Sequence, residues 1–99
     1  MIRGTTPLHT FTLPFSTSIV DKVRVIYSQN DEIVLRKEGE TCQLNENKVS
    51  VKLTQHDTFL FDCHYLVDIQ VRVLTKSGDA LTSLPKRIGV DKCLENEVL

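Results

Sequence analysis

Residues 66–75 carry the pattern that most restricts how this chain can fold. Every second residue is β-branched, and the residues between are charged or carry an amide: Val67, Ile69, Val71 and Val73 alternate with Asp68, Gln70 and Arg72. Successive side chains of a strand point to opposite faces, so the apolar side chains share one face and the polar ones the other. β-Branched residues also fit a pleated, half-buried surface. We predict a core strand of an antiparallel sheet.

Shorter segments repeat this alternation and are separated by turn residues at intervals of about 8 to 12 positions. They lie at residues 9–13, 22–27, 33–37, 41–44, 48–53, 80–83 and 87–90. The only helical signal is Thr54-Gln55-His56-Asp57, an S/T-x-x-D/E box that caps a single turn. About seven or eight short strands without a helical period predict an all-β fold, an antiparallel β-sandwich.

One local spacing favours an immunoglobulin-like version of that sandwich. Leu53, Asp57, Phe61 and Cys63 stand at the intervals that lead into the F strand of immunoglobulin domains, where the aromatic residue is normally tyrosine. The chain has no tryptophan, and Cys42 stands too close in sequence to Cys63 to be its partner on the B strand. We therefore expect a crossing turn before a long central strand, without the disulfide.

Length and charge limit the classes of protein that fit. A chain of 99 residues suits one domain, 1–99, with residues 1–7 and 94–99 as candidates for flexible arms. The net charge of −1 creates no overall attraction to nucleic acid or anionic lipid. No apolar run approaches the ~20 residues of a membrane helix, and the first residues lack the apolar stretch of a signal peptide. We expect neither a membrane nor a nucleic-acid partner.

The basic residues of the predicted strands could still form a local nucleic-acid-binding face. Five of them fall on outward-facing positions: Lys22, Arg24, Lys48, Lys52 and Arg72. Proteins that bind single strands also need exposed aromatic residues, and the four phenylalanines here occupy core-like positions. We interpret the basic residues as a solvated sheet face.

The residues that bind metals or perform catalysis do not form a recognised site in the sequence. Cys63 and His64 are adjacent, and on an extended chain they would point to opposite faces, so we expect no metal between them. An enzyme would need Cys63 as nucleophile with His9 or His56 as base, in an electropositive and partly exposed setting. Phosphate loops and nucleophile elbows are absent. We predict a protein that is not an enzyme and has no cofactor.

Several segments resemble a group of small proteins encoded in prophages of Gram-positive bacteria. They are Arg-Gly-Thr-Thr-Pro at 3–7, His-Thr-Phe-Thr-Leu-Pro at 9–14, Leu-Thr-Gln at 53–55 with Asp-Thr at 57–58, Ile-Gln-Val-Arg-Val at 69–73 and Glu-Val-Leu at 97–99. The strand-rich pattern is also similar to the immunoglobulin-like N-terminal domain of phage baseplate upper proteins. The resemblance implies a virion or assembly role, in the bacterial host cytoplasm during assembly and then in the virion.

A terminal segment provides a way to perform such a role. Residues 93–99 alternate imperfectly and end in two apolar residues, so Leu94, Val98 and Leu99 form a candidate docking tail that adds a strand to a neighbour or enters its groove. The expected partners are other phage structural proteins or further copies of this chain. The alternative is a free-standing immunoglobulin-like module that binds carbohydrate or a host protein through loops 29–32 and 76–79.

Overall fold

The computed structural model describes residues Met1–Leu99 and contains eight strands in two antiparallel sheets. The strands are β1 (Leu8–Thr12), β2 (Val20–Gln29), β3 (Glu32–Glu38), β4 (Cys42–Asn45), β5 (Lys48–Lys52), β6 (Val67–Thr75), β7 (Ala80–Thr82) and β8 (Lys86–Ile88). One short helix, α1 (Gln55–Phe59), and two 3-10 turns, Thr17–Ile19 and Gly39–Thr41, connect them. The prediction of an all-β, sandwich-like fold is confirmed.

The two sheets differ in size. The smaller sheet has three strands in the order β1-β5-β4. The larger sheet has the order β3-β2-β6-β7, and β8 pairs with the same edge of β6 as β7 does. Along that edge, β8 covers residues 67–69 and β7 covers residues 72–74. Strand β6 therefore has neighbours on both sides and is the long central strand that its sequence predicts.

The core lies between the sheets, on the face of β6 that the alternation predicts. Val67, Ile69, Val71 and Val73 are at most 5% exposed. They belong to a hydrophobic cluster that also contains Val25 and Tyr27 from β2 and Val49 and Val51 from β5, and these last four residues are fully buried. Phe61, which is 1% exposed, joins the cluster from the crossing segment.

Helix α1 begins with the capping box that the sequence predicts. The Thr54 hydroxyl accepts a hydrogen bond from the Asp57 N–H, and the Asp57 carboxylate accepts one from the Thr54 N–H, at 3.0 and 2.9 Å. These bonds satisfy backbone donors that the first helical turn leaves without partners. The helix has five residues, and no helix of the structure is long and apolar enough to cross a membrane.

The β2–β3 hairpin closes through two residues with left-handed backbone, Asn30 (φ 50°) and Asp31 (φ 62°). Asn and Asp tolerate this conformation better than most residues, and a pair of them gives a turn that suits the twist of a hairpin. Glu46 (φ 54°) has the same role between β4 and β5. The predicted turns at residues 29–32 and 45–47 are thus confirmed.

The long strands define two ends of the molecule. Because β2 and β6 are antiparallel, Ser28 pairs with Asp68 at one end and Val20 pairs with Thr75 at the other. We call the first the helix end, since α1, the crossing segment 60–66 and residues 1–3 lie there. We call the second the turn end, since it holds turn 76–79 and the Thr17–Ile19 turn, joined by the bond from the Lys76 N–H to the Ile19 carbonyl (2.8 Å).

Candidate functional site

The C-terminal tail, defined as residues 94–99, lies beyond β8 and pairs with no strand. Leu94 is 97% exposed, Leu99 is 99% exposed and Val98 is 52% exposed. Two hydrogen bonds hold the tail at the helix end: Arg3 Nη1 donates to Asn96 Oδ1 (2.9 Å), and the Leu99 N–H donates to the Gln55 side chain (2.7 Å). The apolar side chains of the predicted docking tail are therefore presented to solvent.

Residues 1–3 pair with the segment that leads into the tail. The Met1 ammonium donates to the Gly89 carbonyl (3.0 Å), and the Arg3 N–H donates to the Asp91 carbonyl (3.0 Å). The Asp91 N–H donates back to the Met1 carbonyl at 2.8 Å. These bonds position the tail's first residues beside the sandwich.

Segment 60–66 at the helix end is held by one buried amide. The Gln29 Nε2 donates to the carbonyls of Asp62 (2.7 Å) and Tyr65 (3.1 Å), and its Oε1 accepts from the Asp62 N–H (2.9 Å). Gln29 is 6% exposed, so these backbone groups reach an amide inside the protein. The segment is thereby fixed while Leu60, Tyr65 and Leu66 stay about half exposed.

The expectation that Cys63 and His64 point apart is wrong, because the backbone turns there. Asp62 Oδ1, Cys63 Sγ and His64 Nδ1 all lie within 4.8 Å of one another. The His64 N–H and ring bond the Asp62 carboxylate (2.8 and 2.7 Å), which holds the pKa of that carboxyl below its usual range. The turn offers three ligand-type atoms, all near solvent, whereas a structural zinc site is closed by four.

The nucleophile and base pairs considered from the sequence do not form. The ring within contact distance of the Cys63 thiol is His64 (Sγ to Nδ1, 3.9 Å). His9 instead bonds Tyr27, and His56 lies on the exposed side of α1. The arrangement therefore gives Cys63 neither of the predicted bases.

Two partly buried polar pairs connect different strands and helix α1. His9 Nδ1 on β1 lies 2.7 Å from the Tyr27 hydroxyl on β2, so this bond links the two sheets. Burial raises the pKa of Tyr27, with a further contribution from the negative charges of Cys42 and Asp57. The Lys37 ammonium on β3 lies 2.7 Å from the Asp57 carboxylate on α1. Both pairs therefore join separate elements of the fold.

The predicted basic face is divided between the two sheets. Lys48 and Lys52 lie on the outer face of the three-stranded sheet. Lys22, Arg24 and Arg72 lie on the outer face of the five-stranded sheet. The single basic face considered from the sequence therefore does not form, because the strands that carry these cations pack as opposite layers of the sandwich.

The three cations of the larger sheet surround a groove, which we call the basic groove. Arg24 pairs directly with Arg72 across the strands and forms an ion pair with Glu38 (2.7 Å). Lys22 and Arg72 form no ion pair. The groove has a volume of about 250 Å³, and Leu74 and Ala80, which pair across β6 and β7 on the same face as the cations, supply apolar side chains to its lining. It combines unpaired positive charge with an apolar floor, a feature that emerges only when β2, β6 and β7 are paired.

Comparisons with known proteins give no match: no family model, curated protein or solved structure matches this chain. The exposed tail and the basic groove are the surface features whose chemistry suits binding.

Proposed function

We propose that this protein is a non-catalytic phage structural or assembly protein that acts through protein–protein contacts, as a component of a virion, tail or baseplate. The observation that carries the proposal is the near-complete exposure of Leu94 and Leu99 on an unpaired tail. The resemblance of residues 3–7, 9–14, 53–55, 57–58, 69–73 and 97–99 to small prophage-encoded proteins supports the phage context. The partners are other phage structural proteins or further copies of this chain, met in the host cytoplasm and then in the virion.

The tail can contribute a useful binding energy. Burying one leucine side chain stabilises a contact by about 1.5–3 kcal/mol, so Leu94 and Leu99 together supply about 3–6 kcal/mol before ordering costs. Each such contact is weak on its own. In an assembly that repeats the contact, each contact formed raises the effective concentration for the next, so the combined affinity is high without any new interaction. A short apolar tail on a rigid sandwich suits a building block used in many copies.

The chemistry of the side chains supports a non-catalytic role. Cys63 lacks His9 and His56 as bases, and the His64 nitrogen beside its thiol is the one that bonds the Asp62 carboxylate. Within the fold, His9 bonds Tyr27 and Lys37 bonds Asp57. General acid–base catalysis needs a titratable group within reach of a substrate. The proposed function therefore depends on contacts made by surface residues.

The test compares tail variants with a matched surface variant in the full chain. Leu94→Ser/Val98→Ser/Leu99→Ser removes the apolar side chains and keeps the tail's length. The matched control, Leu84→Ser, changes a leucine in the β7–β8 connection that is also highly exposed, at 90%. Solution mass is measured by light scattering over a concentration series, and binding by pull-down of purified phage structural proteins.

We expect the wild type and Leu84→Ser to oligomerise or bind a phage structural protein, and the tail variant to lose that contact. A tail variant that associates like the wild type would overturn the tail mechanism. A wild-type protein that stays monomeric and binds no phage structural protein would overturn the proposed function.

The alternative, a free-standing immunoglobulin-like binding module for carbohydrate or a host protein, must use one end of the molecule. Loops 29–32 and 76–79 lie at opposite ends of the five-stranded sheet, so they cannot line a single site. The helix end is favoured, because Tyr65 is 47% exposed beside the 29–32 turn and an exposed aromatic ring can stack on a sugar. A glycan array with wild type and Tyr65→Ala tests it; binding lost in the variant supports this alternative, and no binding by wild type excludes the carbohydrate form.

A further inference from the structure

The tail and the basic groove are complementary in charge and polarity. The tail carries Glu95 and Glu97 between its apolar residues, and neither carboxylate forms an ion pair. The groove places Arg24 directly opposite Arg72, an arrangement of like charges that destabilises a sheet, with Lys22 nearby. We infer that the basic groove binds the C-terminal tail of a second copy of this chain. This inference rests on the proposed function and names the partner.

The groove has room for side chains of a peptide. Its volume is about 250 Å³, and it shares Lys22, Val23, Arg24 and Glu38 with an adjoining cavity of about 610 Å³, so the combined surface can take several side chains of an extended segment. Leu74 and Ala80 offer apolar contacts to a leucine of the tail, while Lys22 and Arg72 on the same face stand where the glutamates of an extended segment would pass. The contact thus covers apolar side chains and pairs free charges in one step.

A chain's own tail is held away from its own groove. Asn96 and Leu99 are bonded to Arg3 and Gln55 at the helix end. The groove lies in the half of the sheet toward the turn end, around Leu74. From Val67 to Leu74, β6 advances about 23 Å at roughly 3.3 Å per residue. The groove is therefore available to a tail from another copy.

The contact joins two different surfaces of the chain, the tail of one copy and the groove of the next. A head-to-tail contact of this kind produces a ring if the rotation between copies closes, and an open filament if it does not. Both are forms that a repeated structural component can take. The inference therefore predicts a closed ring, whose smallest form is a dimer with reciprocally exchanged tails, or an open filament.

The experiment separates the two halves of the contact. The groove variant, Lys22→Glu/Arg72→Glu, keeps the tail. Both side chains are exposed and have no hydrogen bond, and the change at residue 72 places a carboxylate opposite Arg24, so the fold is expected to be retained. In this experiment the tail variant is a deletion: it lacks residues 94–99 and keeps the groove. The control, Lys48→Glu/Lys52→Glu, makes the same charge change on the other sheet. Circular dichroism and thermal melting verify each fold, and Lys22→Glu alone replaces the double variant if that one does not fold.

Light scattering gives the readout. We expect wild type and control to form oligomers, and each of the two variants alone to be monomeric, with association weakened about tenfold or more. An equimolar mixture of groove and tail variants retains one intact tail and one intact groove, so it should stop at a 1:1 dimer. Association of the wild type should weaken with added salt, because exposed charges are screened.

The results also distinguish this inference from the proposal beneath it. A groove variant that oligomerises like the wild type would overturn the groove as the receptor and leave the tail's role intact. A mixture that remains monomeric while the wild type oligomerises would overturn the head-to-tail arrangement. A wild type that is monomeric at every concentration yet binds another phage protein through its tail would overturn self-association and keep the proposed function.

Discussion

Replacing Gln29 with methionine tests how the crossing segment is held at the helix end. The Gln29 amide makes three hydrogen bonds to the backbone of residues 62 and 65, at 2.7, 3.1 and 2.9 Å. Methionine has a similar length and shape but can make none of them. The substitution therefore removes the bonds while it keeps most of the packing at this buried position.

The expected loss follows from the number of bonds. A typical internal hydrogen bond contributes about 1 kcal/mol net, so three bonds predict a loss of about 3 kcal/mol in the free energy of unfolding. The freed groups of residues 62–65 can turn to water, which keeps the loss near this value rather than higher. For a domain of this size, that loss lowers the melting temperature by roughly 10–25 °C.

Urea unfolding monitored by circular dichroism measures the effect. Gln43→Met, on an exposed position of β4, is the matched control and should change stability by less than about 0.5 kcal/mol. The denaturant slope should be unchanged in both variants, since the surface exposed on unfolding is the same. A loss below about 1 kcal/mol for Gln29→Met would refute the reasoning that this amide fixes the segment.

Three further substitutions test other contacts. Gly4→Ala should lower the free energy of unfolding by about 1–3 kcal/mol, because Gly4 has φ +81° and an added Cβ would lie 2.7 Å from an aromatic ring of α1. Gly89→Ala, with open space around it, should change the melting temperature little in the same assay. Burial lowers the pKa of His9, and the charges of the N-terminus and a lysine lower it further. As pH drops below about 6.5, the unfolded chain takes up the proton before the folded chain does. The free energy of unfolding should therefore fall in that range. His9→Gln should flatten that part of the pH profile of unfolding, and an unchanged profile would show that another group causes it. Lys37→Met should destabilise by about 2–4 kcal/mol, because it leaves the largely buried Asp57 carboxylate without its cation; the double variant with Asp57→Asn should lose less than the sum of the two single changes.

The strands could be predicted because their signal is local. The alternation of Val67, Ile69, Val71 and Val73 depends on the two-residue repeat of a strand, and the same repeat located β1, β2 and β5 within a few residues of their observed bounds. The capping box and the Asn30–Asp31 turn depend on bonds or backbone angles within a few residues.

The same local reasoning failed at Cys63 and His64. It assumed extended backbone, but the segment turns. The Asp62 carboxylate accepts a bond from the His64 N–H two residues on, a local signal that the pattern missed, and the amide of Gln29 holds the turn from a distance. The single basic face considered from the sequence also does not form, because sequence cannot tell which strands share a sheet. Lys48 and Arg72 have the same outward pattern yet belong to opposite layers.

The sequence by itself determined the fold class, most strand positions, the turns and the exposed apolar tail with Leu94, Val98 and Leu99. Each of these depends on side chains close together along the chain. Only the tertiary structure decided that Arg24 and Arg72 face each other over an apolar groove, and that this groove and the tail lie toward opposite ends. The physical reason is that strand pairing joins residues far apart in sequence, and the register that sets those neighbours comes from the packing of the whole core.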